Sequence, residues 1–119
     1  MIPAHSRATR LAACLFATAC VLASTGNPCH AGDVKAGRAK AMACQACHGL
    51  DGLAKTPDAP NIAGQVDHYL VTQLQAYKTG ARKSDAMSVV APSLSDQDIE
   101  DLAAYYSAIE ISIGKLPGQ

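Results

Sequence analysis

Tryptophan is absent from this 119-residue chain, and phenylalanine occurs once, at Phe16; with four tyrosines, aromatic residues reach only 4% of the total. A chain so poor in large rings cannot fill a broad core from its own side chains, and small domains of this kind are commonly completed by a metal or cofactor. An excess of either charge is missing too, with 10 Lys+Arg against 10 Asp+Glu. That balance argues against a nucleic-acid partner, which would call for a basic face. No apolar run approaches the roughly 20 residues of a membrane-crossing helix. No internal repeat is present and no strand pattern is read, so the sequence predicts helices and loops without a sheet.

The first third of the chain is unlike domain sequence. Arg7 and Arg10 stand in a polar start with no acid, Leu11 to Ala23 is an apolar stretch, and small residues follow to Ala31. A basic start, a short apolar segment and a small-residue zone together read as a secretory signal peptide over residues 1–31. Cleavage is expected after Ala31, where Cys29 and Ala31 supply the small side chains, with Ala23 as the alternative. Cys14 and Cys20 are badly placed for a lipoprotein, and polar Ser24, Thr25 and Asn27 interrupt the stretch too early for a retained anchor. The expected mature domain, residues 32–119, is 88 residues long, with 8 Lys+Arg against 10 Asp+Glu. Of five cysteines it keeps only Cys44 and Cys47, and of four histidines only His48 and His68.

Those survivors include the run Cys44-Gln45-Ala46-Cys47-His48. Positions i, i+3 and i+4 share one helix face, so two thiols can reach the two vinyl groups of one porphyrin while the imidazole turns to its iron. This is the C-x-x-C-H pattern of c-type haem attachment. A structural zinc site would need about four protein ligands, which would consume every remaining Cys and His at unsuitable spacing. A thioredoxin-like pair belongs with a βαβ pattern that is not found here. One covalent haem c, bound through Cys44 and Cys47, is the favoured reading.

In chain order, Asp33 to Cys47 predicts a first helix with Val34, Gly37, Ala41 and Cys44 at helical spacing. Gly37 would suit a close crossing by another helix as well as it would a plain helix glycine. Residues 49–64, with Gly49, Gly52, Gly64, Pro57 and Pro60, predict a long irregular loop of the kind that wraps a bound group. Asp67 is expected to cap a second helix ending at Thr79 and Gly80, with Lys78 in its last turn. Residues 81–92 read as irregular. The last helix is predicted from Ser95, a capping box with Asp98 and a Leu94–Ile99 staple, along a stripe through Ile99, Leu102, Ala103, Tyr106, Ile109 and Ile113 to Gly114.

His48 supplies one axial nitrogen, and three side chains compete for the opposite side of the iron. Met42, about 200° around the helix from Cys44, points away from the haem face and is expected in the core. His68 reads as an exposed residue beside a helix start. Met87, in a loop well beyond His48, is the favoured sixth ligand. Methionine–histidine ligation fills both axial sites and raises the reduction potential, which favours electron transfer over catalysis. An open iron, as in a haem enzyme or gas sensor, is the competing possibility.

In combination these residues resemble the class I c-type cytochromes, most closely one half of the bacterial two-haem cytochrome c4 group. The likeness rests on Gly-Asp-Val-Lys-Ala-Gly (32–37), the haem motif, Pro-Asn-Ile-Ala-Gly-Gln (60–65), Tyr69-Leu70 with Gln73, Met87, Leu-Ser-Asp-Gln-Asp (94–98), and Tyr105-Tyr106. It implies an all-α fold of three to four helices around one haem, with the first and last helices crossing near Gly37. It also implies that the Pro60 carbonyl accepts a hydrogen bond from the second nitrogen of His48. Two departures stand out: only one haem motif is present, and Ala41 stands where many relatives have a bulkier residue. The function implied is a periplasmic carrier shuttling one electron between redox proteins, such as a dehydrogenase, an oxidase or a membrane cytochrome complex. A haem subunit permanently bound to such a complex is the alternative. Lys78, Arg82 and Lys83 could ring an exposed haem edge for an acidic partner, or merely form a solvated face.

Overall fold

The computed structural model describes residues 31–118; the expected signal peptide, except for Ala31, lies outside the described residues. Five α-helices follow in order: α1 (Val34–Lys40), α2 (Gln45–His48), α3 (Asp67–Thr79), α4 (Met87–Val90) and α5 (Asp96–Ser107). Tight 3₁₀ turns at Ala41–Ala43 and Ala91–Ser93 lead out of α1 and into α5. Among the described residues there is no strand, and no helix is long and apolar enough to cross a membrane. The all-α architecture expected from the sequence is the one observed.

The frame is the crossing of α1 on α5, with α3 packed against the same helix. Gly37 is buried at that crossing, where an added Cβ would lie 1.9 Å from the Asp101 carbonyl oxygen and 2.8 Å from Tyr105 Cβ. A glycine is therefore required by the approach of two backbones, and the close-crossing reading of Gly37 is the right one. Ala41, one turn on, is fully buried in a cluster with Leu70, Leu102, Ala103 and Tyr106. Its small side chain keeps the contact close.

Capping of α5 follows the sequence. The Ser95 hydroxyl accepts the Asp98 amide at 3.1 Å, and the Asp98 carboxylate accepts the Ser95 amide at 2.9 Å. Asp98 also pairs with Lys40 at 2.8 Å, and Lys40 followed by Ser95 holds its carboxyl far below the usual range. Beyond the capping box, Asp101 does more than complement a helix dipole. It is 3% exposed and accepts the Asp33 amide at 2.8 Å, the Gln97 side-chain amide at 2.7 Å and the Lys40 ammonium. One buried carboxylate thus satisfies the start of α1, its end and α5 itself.

Four boundaries differ from the sequence reading. The first helix is not continuous to Cys47, because the backbone tightens into a 3₁₀ turn at Ala41–Ala43 before α2; no glycine or proline announces it. Asp67 is the first residue of α3 rather than its cap, Val66 occupying the cap position without a side-chain bond. Met87 opens a short helix instead of lying in an irregular loop. The last helix stops at Ser107, well before Ile113. Ile109, Ile111 and Ile113 alternate with Glu110 and Ser112, an extended pattern with β-branched residues that favours leaving the helix. Ile111 then packs over Gly64 while Ile113 stays 80% exposed.

Candidate functional site

Cys44, Cys47 and His48 sit on one turn, as the spacing requires. Cys44 precedes α2 and its carbonyl accepts the amides of Cys47 and His48 at 3.3 and 3.0 Å. Both thiols are free and half-buried. Burial pushes the Cys44 thiol up, with the neighbouring Cys47 adding to the shift. A redox thiol needs the opposite, a depressed pKa that favours thiolate. Nor do three or more His, Cys, Asp or Glu side chains gather as a metal site among the described residues, so the zinc reading has no ligand set there.

His48 is buried, and its Nδ1 lies 3.0 Å from the Pro60 carbonyl oxygen. A carbonyl can only accept, so the proton belongs on Nδ1 and the lone pair of the neutral ring on Nε2, the atom left to bind a metal. The loop that brings Pro60 round is built, although it has no regular element. The Gly52 carbonyl accepts the amides of Ile62 and Ala63 at 2.8 and 3.1 Å, and the Cys47 carbonyl accepts that of Lys55 at 2.8 Å. Asn61 accepts the Ala54 amide through its side chain at 2.7 Å. Gly52 has φ +69°, and an added Cβ would fall 2.6 Å from the Ala63 nitrogen. Only glycine fits that bend.

Two tyrosines of α5 hold the stretch that follows His48. Tyr106 donates its hydroxyl to the Gly49 carbonyl at 3.1 Å, and Tyr105 donates to that of Leu50 at 2.7 Å. Burial, then the charges of Cys44, Tyr105 and Asp51, keep the Tyr106 phenol well above its ordinary pKa, so it remains a donor. Sequence reasoning placed these tyrosines in the last helix but gave their hydroxyls no task. The available signal was their scarcity: two adjacent tyrosines in a chain with four tyrosines, one phenylalanine and no tryptophan.

Met87 is half-buried at the first position of α4. The Ser84 amide donates to the Ser88 hydroxyl at 2.9 Å and the Ser88 amide to the Ser84 carbonyl at 3.1 Å, fixing the turn that carries it. Met42, expected in the core, is instead 51% exposed. The 3₁₀ turn at Ala41–Ala43 carries it outward. His68 is exposed near the start of α3. Of the three basic residues, Lys78 pairs with Asp96 at 2.7 Å, and Arg82 bonds Gln73 while stacking on Tyr77 at 4.7 Å from the ring centre. Lys83 makes no ion pair among the described residues.

Residues 34–108 match the family model described as Cytochrome c. The chain belongs to the cytochrome c family. It is 44% identical over 93 residues to cytochrome c4 of Pseudomonas aeruginosa, covering 78% of this chain and 46% of that protein. It is 46% identical over 83 residues to cytochrome c-554(548) of Halomonas halodenitrificans, covering 67% of this chain and all of the relative. The crystal structure of reduced recombinant cytochrome c4 from Pseudomonas stutzeri superposes with a TM-score of 0.64 at 44% identity, over 71% of this chain and 49% of that one. The chain spans about half the length of the cytochrome c4 relatives it matches.

Family and thiol spacing together imply one covalent haem c. The residues of this cytochrome c fit the group. Two free thiols and an imidazole with Nε2 unengaged form the donor set on one turn. The packing leaves room for it: among the described residues Ile99 is the one large side chain wholly buried, while Leu50, Ile62, Val71, Leu74 and Leu94 pack only partly buried against the core cluster. A flat apolar macrocycle would add burial for these half-covered side chains.

Proposed function

We propose that this cytochrome c is a periplasmic single-haem electron carrier whose iron is held by His48 and Met87. The observation that carries the reading is the His48 ring itself, buried after the two thiols with Nδ1 committed to Pro60 and Nε2 left over. Met87, half-buried at the first position of α4, is the thioether offered for the other side of the iron. When bound, the haem supplies a one-electron iron couple. The protein's part is to bind and orient. Cys44 and Cys47 anchor the ring edge, and Pro60 strengthens His48 as a donor. Ser84 and Ser88 fix the turn that presents Met87, whose thioether would hold the iron together with His48 and leave no site for outside ligands. Periplasmic location rests on the leader expected from residues 1–31 and on the cytochrome c4 relatives.

Carbon monoxide tests the closed site. The reduced wild-type protein should bind it poorly at neutral pH, and Met87→Ala should bind it readily. Prompt binding by the wild type would instead indicate an open iron and an enzyme or sensor.

Partner docking is expected to draw on few charges, since two of the three basic side chains are already engaged within the fold. Electron transfer with an acidic redox protein should slow as salt rises, because exposed charges are screened beyond about 10 Å at 0.1 M. Lys83→Glu should slow it further at low salt and converge with the wild type at high salt. A flat salt dependence for both proteins would remove Lys83 from the docking surface.

A further inference from the structure

Tyr106 touches both ends of the loop that delivers Pro60 to His48. Its hydroxyl donates to the Gly49 carbonyl at the start of that loop, at 3.1 Å, while its own backbone carbonyl accepts the Gly64 amide at the far end, at 2.9 Å. Tyr105 adds a second clamp on the Leu50 carbonyl at 2.7 Å. Between these points the Gly52 carbonyl gathers the amides of Ile62 and Ala63, so Pro60 has few independent ways to move. The two rings meet edge to face with centres 5.1 Å apart, and Tyr106 is 3% exposed. The Tyr106 hydroxyl therefore has little water to turn to, whereas Tyr105 is half-buried.

We propose that Tyr106, assisted by Tyr105, is a positioning residue for His48: by closing the loop over residues 49–64 from α5, it holds the Pro60 carbonyl against Nδ1 and sets the orientation of the imidazole. The inference rests on His48 being the haem ligand. Its physical basis is a lever of short links, from hydroxyl to Gly49, through His48 and its ring to Pro60, and back through Gly64 to the same tyrosine. Opening the first link gives the loop freedom to carry Pro60 away from the ring, which weakens the donor and lets it rotate.

The test uses the intact haem protein carrying Tyr106→Phe, which keeps the ring and the backbone acceptor and removes only the hydroxyl. Solvent exchange of the His48 Nδ1 proton, followed by NMR, should quicken by roughly tenfold, the factor expected when one hydrogen bond of about 1.4 kcal/mol is lost from a closed state. The haem methyl shifts of the oxidised form should change with it. Ser95→Ala, which removes the α5 cap without touching the loop, provides the comparison. It should lower thermal stability while leaving the exchange rate and the methyl pattern unmoved. If Tyr106→Phe changes exchange no more than Ser95→Ala does, the tyrosine is merely structural and the proposal falls. Should Tyr106→Phe fail to fold, Tyr105→Phe enters the same comparison under the same criteria. Ligation by His48 in the wild type is read separately, from its own ring resonances in the haem protein. A wild type without them overturns the functional reading, whereas normal resonances with unmoved variants overturn the positioning role alone.

Discussion

Gly37→Val should cost the protein about 3 kcal/mol or more of stability, beyond the usual 1–3 kcal/mol of an overpacked core site, and lower Tm by roughly 12–24 °C for a domain of this size. The reason is what the new atoms would meet. A Cβ at this position falls 1.9 Å from the Asp101 carbonyl oxygen and 2.8 Å from Tyr105 Cβ, so α1 must move off α5, since neither neighbour is the end of a flexible side chain. The gain in helix propensity from losing glycine, under about 1 kcal/mol, does not offset that. Because Asp101 and Tyr105 lie one turn apart on the same face of α5, the displacement should disturb the buried carboxylate network and the clamp on Leu50 together. Thermal unfolding of the haem protein reads the effect. A Tm within a few degrees of wild type would show that the crossing is looser than the backbone positions indicate.

Asp101→Ala is expected to destabilise by roughly 2–4 kcal/mol, through loss of a buried acceptor and half of an ion pair. The Asp33 amide, the Gln97 side chain and part of the Lys40 interaction would lose their partner at once. Lys40 keeps Asp98 and some solvent, which holds the cost below that of a fully stranded charge. The same carboxylate makes a pH prediction. Its pKa is lowered first by the Asp33 amide, then by Lys40 and Gln97, against burial. A folded-state value below the unfolded one gives stability that is complete above the unfolded pKa of about 3.9 and is lost as pH falls through the folded value. Wild-type stability should therefore decline with acid below about pH 4. Asp101→Asn, which cannot titrate there, should start lower at pH 7 and decline less steeply. Parallel acid profiles for the two proteins would assign the acid sensitivity to other carboxylates, Asp98 foremost.

The parts of the fold that were legible beforehand are those written in short local patterns. Ser95 and Asp98 announce the start of α5, Gly80 the end of α3, and three glycines with two prolines the loop after His48. The cofactor was equally legible, because Cys44, Cys47 and His48 use one helical turn and need no distant residue to be recognised. What escaped depends on tertiary context. The 3₁₀ turn at Ala41–Ala43 has no breaker residue, so nothing local marks it or the outward placement of Met42. In the sequence Asp101 is one of several acids in the first half of the last helix, and only the return of α1 shows that it is buried. Tyr105 and Tyr106 could be placed on a helix, but the acceptors of their hydroxyls lie more than fifty residues earlier in the chain. The end of α5 was misjudged for a different reason. The apolar steps to Ile109 and Ile113 fit a helix period, yet the alternation over 109–113 fits an extended chain equally well, and the extended form places Ile111 over Gly64.

The central claim is an iron closed by His48 on one side and Met87 on the other. The optical spectrum of the purified haem protein in both oxidation states tests it most directly. The oxidised wild type should show the weak band at the red end that marks a sulfur–iron bond, and the band should vanish in Met87→Ala while the haem stays covalently attached. Absence of the band from the wild type, or its survival in Met87→Ala, would contradict the assignment.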